Sequence, residues 1–305
     1  MKRLICVFLA AVLLCGCAPA DDRVQQTVFC MDTVMDLQVW GEGADAAAEQ
    51  VASLLRSLES TWSVTDASSA LNQDTLSVAD RYLLSRAEAM RQRTGGAFDP
   101  RLRGVMEQWG FYTKEYRVPT ADQISQGLTA HQWDLGAVIK GYAGQLAAQE
   151  LEKLGAQRAI LNLGGNVQTY GSKPDGTPWQ IAIQDPKGGE YLGVVSVYGT
   201  KSVVTSGDYQ RYFEENGVRY HHILDPETGY PADAGLSAVT VICGDGFTAD
   251  ALSTALFVMG LEEGTALWRE SDDFEAVFVL TTGEVYATEG AALSGCEYEV
   301  ICRED

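Results

Sequence analysis

Three short stretches of this chain bring together residue types that can do chemistry. In Asp134-Leu135-Gly136-Ala137-Val138-Ile139-Lys140-Gly141-Tyr142, an acid stands where a helix should begin and a lysine follows two turns on. Asp134, Ala137 and Lys140 are three apart and run along one side of the opening turns. Free N–H groups at a helix start, with a lysine beside them, can hold a phosphorylated ligand. A capping Asp and a solvated Lys leave the same letters, and this stretch alone does not separate the two. In Thr248-Ala249-Asp250-Ala251-Leu252-Ser253-Thr254, Asp250 and Thr254 are four apart and present their oxygens on one helix face. A carboxylate plus a hydroxyl is half of a hard-cation site, which phosphate and water complete around Mg²⁺. An acid that merely complements the helix dipole is the other reading. In Tyr220-His221-His222-Ile223-Leu224-Asp225-Pro226, two of the three histidines run down a strand into an Asp-Pro turn. Histidine is the side chain best suited to move a proton near neutral pH, although a hydrogen-bonded pair at a strand end fits the pattern too.

Other chemistries are excluded by incomplete patterns. Leu161-Asn162-Leu163-Gly164-Gly165-Asn166 reads as a strand entering a turn where backbone can approach a ligand closely. It lacks the third glycine and the following helix of a dinucleotide fingerprint. Thr205-Ser206-Gly207 is not the G-x-S-x-G elbow of a serine hydrolase. There is no C-x-x-C and no Cys/His cluster at zinc spacing.

The elements that must position these groups follow from periodicity. A strand from Thr27 to Trp40 leads into an amphipathic helix from Ala44 to Leu58. Further helices are predicted from Ser77 to Thr94, Arg101 to Trp109, Thr120 to Gly127 and Leu135 to Leu154. Strands then dominate: Ala159–Leu163, Trp179–Asp185, Tyr191–Tyr198, Lys201–Thr205, Arg219–Leu224 and Ser237–Cys243. One helix from Thr248 to Met259, a shorter one and a hairpin of Ala276–Thr281 with Val285–Thr288 close the chain. Helices gather in the N-terminal half, and mixed or antiparallel strands in the C-terminal half. The class is therefore α+β, as a single domain over residues 27–305.

With 305 residues and 46% hydrophobic composition the chain can bury a sizeable core. Its 42 acidic against 22 basic residues, a net charge of −20, exclude a nucleic-acid partner, which needs a basic surface. The first residues read as an export signal. Lys2 and Arg3 precede an apolar run from Leu4 to Leu14 that is too short to span a bilayer. Leu14-Cys15-Gly16-Cys17 resembles a lipobox, which makes 1–16 a lipoprotein signal peptide, Cys17 the lipidation site and 17–26 a tether; an ordinary secretory signal cut near Ala20 is the other reading. The expected location is the outer face of a bacterial cytoplasmic membrane, or the periplasm, with the lipid as the sole membrane attachment. An oxidising compartment would let Cys296 and Cys302 pair, but connectivity is not legible from sequence.

Taken in order, the motifs resemble the ApbE family of FAD:protein FMN transferases. Met31-Asp32-Thr33 resembles the family's Met-Gly-Thr, and Asp134 to Tyr142 its Asp-Leu-Gly-x-x-x-Lys-Gly-Tyr. Leu163-Gly164-Gly165-Asn166, Thr205-Ser206-Gly207, His222 to Pro226 with Thr228-Gly229, and Ala249-Asp250-Ala251 with Thr254 follow in the family's order. The resemblance implies a T-fold-related architecture, FAD as substrate and Mg²⁺ as cofactor. It implies metal ligands at the Ala137 carbonyl, Asp250 and Thr254, and FAD contacts at Met31, Trp62, Ala97-Phe98-Asp99, Asp134, Lys140 and the backbone of Leu224. A base must take the hydroxyl proton, and His222 is the residue expected to do so, with Lys140 and Asp250 completing the catalytic set. The implied reaction moves FMN onto a Thr or Ser hydroxyl of an extracytoplasmic redox protein and releases AMP. Alternatives at the same residues are an FAD pyrophosphatase giving FMN and AMP, or a flavin-binding lipoprotein without chemistry. The chain departs from the family pattern at Asp32 (usually Gly), Trp62 (often Tyr) and Ser253 (Asp in some members).

Overall fold

The computed structural model describes residues 22–303. The expected signal peptide and the lipidation site Cys17 lie outside the described residues.

Where one strand from Thr27 to Trp40 is expected, the chain forms a hairpin. β1 (Arg23–Cys30) and β2 (Thr33–Trp40) pair antiparallel about Met31 and Asp32, both at positive φ. Residues 23–26, expected as tether, are thus already part of a sheet. The hairpin was not legible because a two-residue loop of this kind is normally marked by Asn-Gly, not Met-Asp. After it come α1 (Ala44–Trp62), α2 (Val78–Arg93), α3 (Arg103–Trp109), α4 (Ala121–Thr129) and α5 (Ile139–Lys153). Ser77 with Asp80, and Thr120 with Gln123, form reciprocal capping boxes that start α2 and α4. The helix expected from Leu135 begins only at Ile139, because residues 136–138 form a turn.

The strand-rich half contains β3 (Arg158–Asn162), β4 (Val167–Tyr170), β5 (Trp179–Ile183), β6 (Gly193–Val197), β7 (Ser202–Gly207), β8 (Tyr212–Glu215), β9 (Val218–His221) and β10 (Leu236–Cys243). Then follow α6 (Gly246–Arg269), β11 (Phe274–Leu280), β12 (Val285–Thr288), β13 (Leu293–Ser294) and β14 (Glu299–Ile301). The two helices expected after β10 are the two arms of α6, broken at Gly260, whose φ of 81° only glycine adopts comfortably. Nine strands form the main sheet in the order β1-β2-β3-β4-β7-β10-β11-β12-β14, antiparallel except for the β12–β14 pair. Strands β13, β6 and β5 form a second sheet, and β8 with β9 a third.

The main sheet is buried on both faces, so its central strands read as apolar runs, not as alternation. Val239 and Val241 of β10 join α1, α5 and α6 in the larger core, whereas Ala238 and Ile242 face the second sheet with Trp179, Ile181 and Val195. A third cluster, Val105, Met106, Trp109, Phe111, Ile124 and Leu224, fastens α3 and α4 to the segment after β9. Cys296 is a free thiol, so no bridge to Cys302 forms. Among the described residues no helix is long and apolar enough to cross a membrane.

Candidate active site

Two glycines bring the starts of α5 and α6 together. Gly141 lies against the Gly246 backbone so closely that a Cβ on either would overlap the carbonyl of the other. The approach lets Asp250, on the second turn of α6, accept a hydrogen bond from the Gly141 N–H at 2.8 Å. Asp250 is only 4% exposed, and burial raises its pKa; Lys140 and the N–H groups of α5 act in the opposite direction. Asn166, from the Gly-Gly-Asn turn after β3, also favours the Asp250 carboxylate, yet its buried Nδ2 meets no partner at hydrogen-bond geometry. One turn on in α6, Thr254 shares a hydroxyl contact of 3.4 Å with Ser206 of β7. Ser253 is spent on structure: its fully buried hydroxyl contacts Ser206 at 2.8 Å and donates to the Asp250 carbonyl at 2.9 Å.

These groups form the floor of a cleft of about 330 Å³, within the range of small-ligand sites. All twelve site residues expected from the sequence line it: Met31, Trp62, Ala97, Phe98, Asp99, Asp134, Ala137, Lys140, His222, Leu224, Asp250 and Thr254. Their approach differs in detail from expectation. Asp134 is not a helix cap: its Oδ1 accepts from the Gly136 N–H at 2.7 Å, and its Oδ2 takes a short hydrogen bond from the Tyr112 hydroxyl. Asp99 is clasped by the Arg101 guanidinium at 3.0 Å on both oxygens, leaving it little freedom to reach a ligand. Lys140 lies in the first turn of α5, not two turns in.

The paired histidines separate as strand alternation requires. His221 turns inward, edge-on to Phe257, with Nε2 contacting the Ala232 carbonyl at 3.1 Å. His222 faces the cleft, and its Nδ1 contacts the Arg211 carbonyl at 3.2 Å. A carbonyl can only accept, so Nδ1 carries the proton and Nε2 keeps its lone pair. Burial, then the charges of Arg211 and Lys140, push the His222 pKa down to about 3. The ring is therefore neutral throughout the physiological range, and its titration is not near 6.5 as an unperturbed base would show.

The upper wall is apolar, built from Leu58 and Trp62 of α1, Phe98, Met106, Ile139 and Ile223. Trp62 is 5% exposed, and its Nε1–H has no partner among the described residues. Trp62 and Asn166 both line the cleft, and each carries a buried donor, Nε1 and Nδ2, without a partner among the described residues, a costly state. The Glu59 carboxylate ties the Met31 N–H to α1 at 2.8 Å and so fixes one lip. Sequence reasoning missed Tyr112, Asn166, Ser206 and Arg211 as site residues. Asn166 and Ser206 stood in motifs already singled out, whereas no local signal marks Tyr112 or Arg211.

A family model described as the ApbE family matches residues 31–278. The chain belongs to the ApbE family. An FAD:protein FMN transferase of Treponema pallidum is 32% identical over 94% of this chain and 92% of its own length. The crystal structure of an ApbE protein from Thermotoga maritima matches with a TM-score of 0.80 at 31% identity, covering 88% of this chain and 97% of that one. The apo flavinyl transferase ApbE of Pseudomonas stutzeri gives a TM-score of 0.75 at 30% identity, covering 87% and 93%. The α+β class read from the sequence matches that of these ApbE structures.

Proposed function

We propose that this ApbE-family chain is an FAD:protein FMN transferase. It binds FAD in the cleft, passes the FMN moiety to a Thr or Ser hydroxyl of an acceptor redox protein, and releases AMP. The observation that carries the reading is the convergence of Ala137, Asp250 and Thr254 with Lys140 and His222 on one cleft with an aromatic wall. Three oxygen donors of different kinds, one a buried carboxylate, match the preference of a hard divalent cation. Ala137, Asp250 and Thr254 would hold Mg²⁺, which supplies charge stabilisation for a pyrophosphate in an acidic protein.

The residues of the chain divide the remaining work. Trp62, Phe98 and Met31 give the flavin or adenine ring an apolar seat, and Lys140 offers a positive charge to the phosphates. The acceptor oxygen forms a bond to the flavin-side phosphorus as the bond from that phosphorus to the bridging oxygen breaks. The electron pair leaves on AMP, and the hydroxyl proton passes to His222 Nε2. A dianionic ligand offsets the charges of Lys140 and Arg211 that help hold the ring unprotonated, so His222 becomes a stronger base when substrate is in place. We further propose that lipid on Cys17 carries the enzyme on the outer face of the membrane, where its acceptor is exposed.

The deciding assay incubates the protein with FAD, Mg²⁺ and an acceptor fragment containing a candidate Thr, followed by a denaturing gel under ultraviolet light. A fluorescent acceptor band supports transfer. Free FMN without labelling means hydrolysis, and unchanged FAD means a binding protein.

A further inference from the structure

We propose that Arg211 binds the flavin-side phosphate and that Asp32 competes with the phosphate for its guanidinium. The assignment rests on the flavin reading above and adds a residue to it. Among the described residues, two side chains with a permanent positive charge line the cleft, Lys140 and Arg211, against the acids Asp32, Glu59, Asp99, Asp134 and Asp250. Lys140 belongs to the floor, where its charge acts on Asp250. Arg211 stands in the segment between β7 and β8, and its charge, like that of Lys140, acts on His222. Its main-chain carbonyl takes both the backbone N–H of His222, at 3.0 Å, and the ring Nδ1. A hydroxyl that gives its proton to His222 Nε2 must attack a phosphorus next to that ring. A cation that shares the cleft with that ring then meets the equatorial oxygens of the group transferred, which is the flavin-side phosphoryl.

The Arg211 side chain is free for this task. Its guanidinium makes no hydrogen bond among the described residues, and its ion partner is Asp32 across the cleft mouth, at 3.8 Å. Asp32 is well exposed, and a pair this long and wet is weak. A phosphate offers the guanidinium two oxygens in bidentate geometry, which the Asp32 contact does not achieve. Asp32 therefore lowers ligand affinity by a small factor while keeping Arg211 at the lip.

The test is equilibrium binding of FAD, FMN and riboflavin by flavin fluorescence, with AMP measured by displacement of FAD. It uses the full chain with Mg²⁺ and its Arg211→Gln, Arg211→Lys and Asp32→Asn variants. Arg211→Gln should weaken FAD and FMN about tenfold or more and leave riboflavin and AMP within about twofold, since only the flavin-side phosphate loses a partner. Arg211→Lys should recover part of the loss, and Asp32→Asn should bind FAD about two- to fivefold more tightly. Riboflavin binding reports the fold of each variant. If Arg211→Gln binds FAD within about twofold of the parent, or loses riboflavin in equal measure, the assignment is wrong. If the parent itself binds no FAD, the flavin reading falls and takes this one with it; a parent that labels its acceptor beside an equally competent Arg211→Gln sinks the Arg211 role alone.

Discussion

Replacing Gly141 by Ala tests whether the crossing of α5 and α6 builds the site. The new Cβ would lie 2.7 Å from the Cβ of Asp250 and closer still to the Gly246 carbonyl oxygen. Carbon atoms in contact prefer about 3.5–4.0 Å, so the helix starts must part by roughly 1 Å. The hydrogen bond from the Gly141 N–H to Asp250, now 2.8 Å, would then lengthen beyond useful range. Overpacking costs about 1–3 kcal/mol, and losing a hydrogen bond to a charged acceptor about 1.5–3 kcal/mol. Alanine's better helix propensity returns up to about 1 kcal/mol. A net loss of about 1.5–5 kcal/mol lowers the melting temperature by about 3–20 °C for a chain of this size. Calorimetry measures the shift, and Mg²⁺-dependent FAD binding, which should be lost as Asp250 moves from Ala137, measures the site. Gly144→Ala is the milder comparison one turn away: its Cβ meets atoms of Gln168 and Leu163 at 3.1–3.3 Å, with no backbone carbonyl in its way. A Gly141→Ala protein that melts with the parent and still binds FAD through Mg²⁺ would refute the reasoning.

Three further outcomes follow from the cleft. Asp250→Asn should lose Mg²⁺-dependent FAD binding, yet melt at or above the parent temperature in chelator at neutral pH, because burial already disfavours its charge. His222→Gln should keep FAD affinity and lose about 10²–10⁴-fold in transfer rate, read as acceptor fluorescence against time. Stability should fall as pH drops from about 6.5 towards 3: the unfolded chain protonates His222 in that window while the folded chain, with its pKa near 3, does not. His221, also lowered by burial, adds to the slope, and calorimetry in the window above the carboxylates should find a shallower dependence in His222→Gln.

The chemistry-bearing motifs were legible because each is a local pattern. Asp250 and Thr254 share a face by helix geometry alone, and the α2 and α4 boundaries are written as capping boxes. The gradient from helices to strands was visible in the change of hydrophobic period. What failed depends on contacts distant in sequence. Asp134 reads as a helix cap until Tyr112 claims one of its oxygens and the Gly136 N–H the other. β4 (Val-Gln-Thr-Tyr) and β8 (Tyr-Phe-Glu-Glu) carry no alternation of apolar and polar residues and so give no strand period. Arg211 carries no motif, since what places it is the fold of the β8–β9 ribbon back onto the cleft. The depressed His222 pKa likewise arises chiefly from burial and then from Arg211 and Lys140, with only the smaller contribution of His221 coming from a neighbour in sequence.

The Met31-Asp32 corner has a consequence for anyone seeking a hardier version of this protein. Both residues hold left-handed backbone angles, φ 53° and 58°, which Met31 disfavours and Asp32 tolerates better, and both line the cleft. The obvious thermostabilising swap is Asn-Gly, which suits such a corner. It would also remove the thioether that helps seat the ring. The same swap removes Asp32, the ion partner of Arg211, so a corner rebuilt for heat tolerance alone would shift ring seating and phosphate affinity in opposite directions.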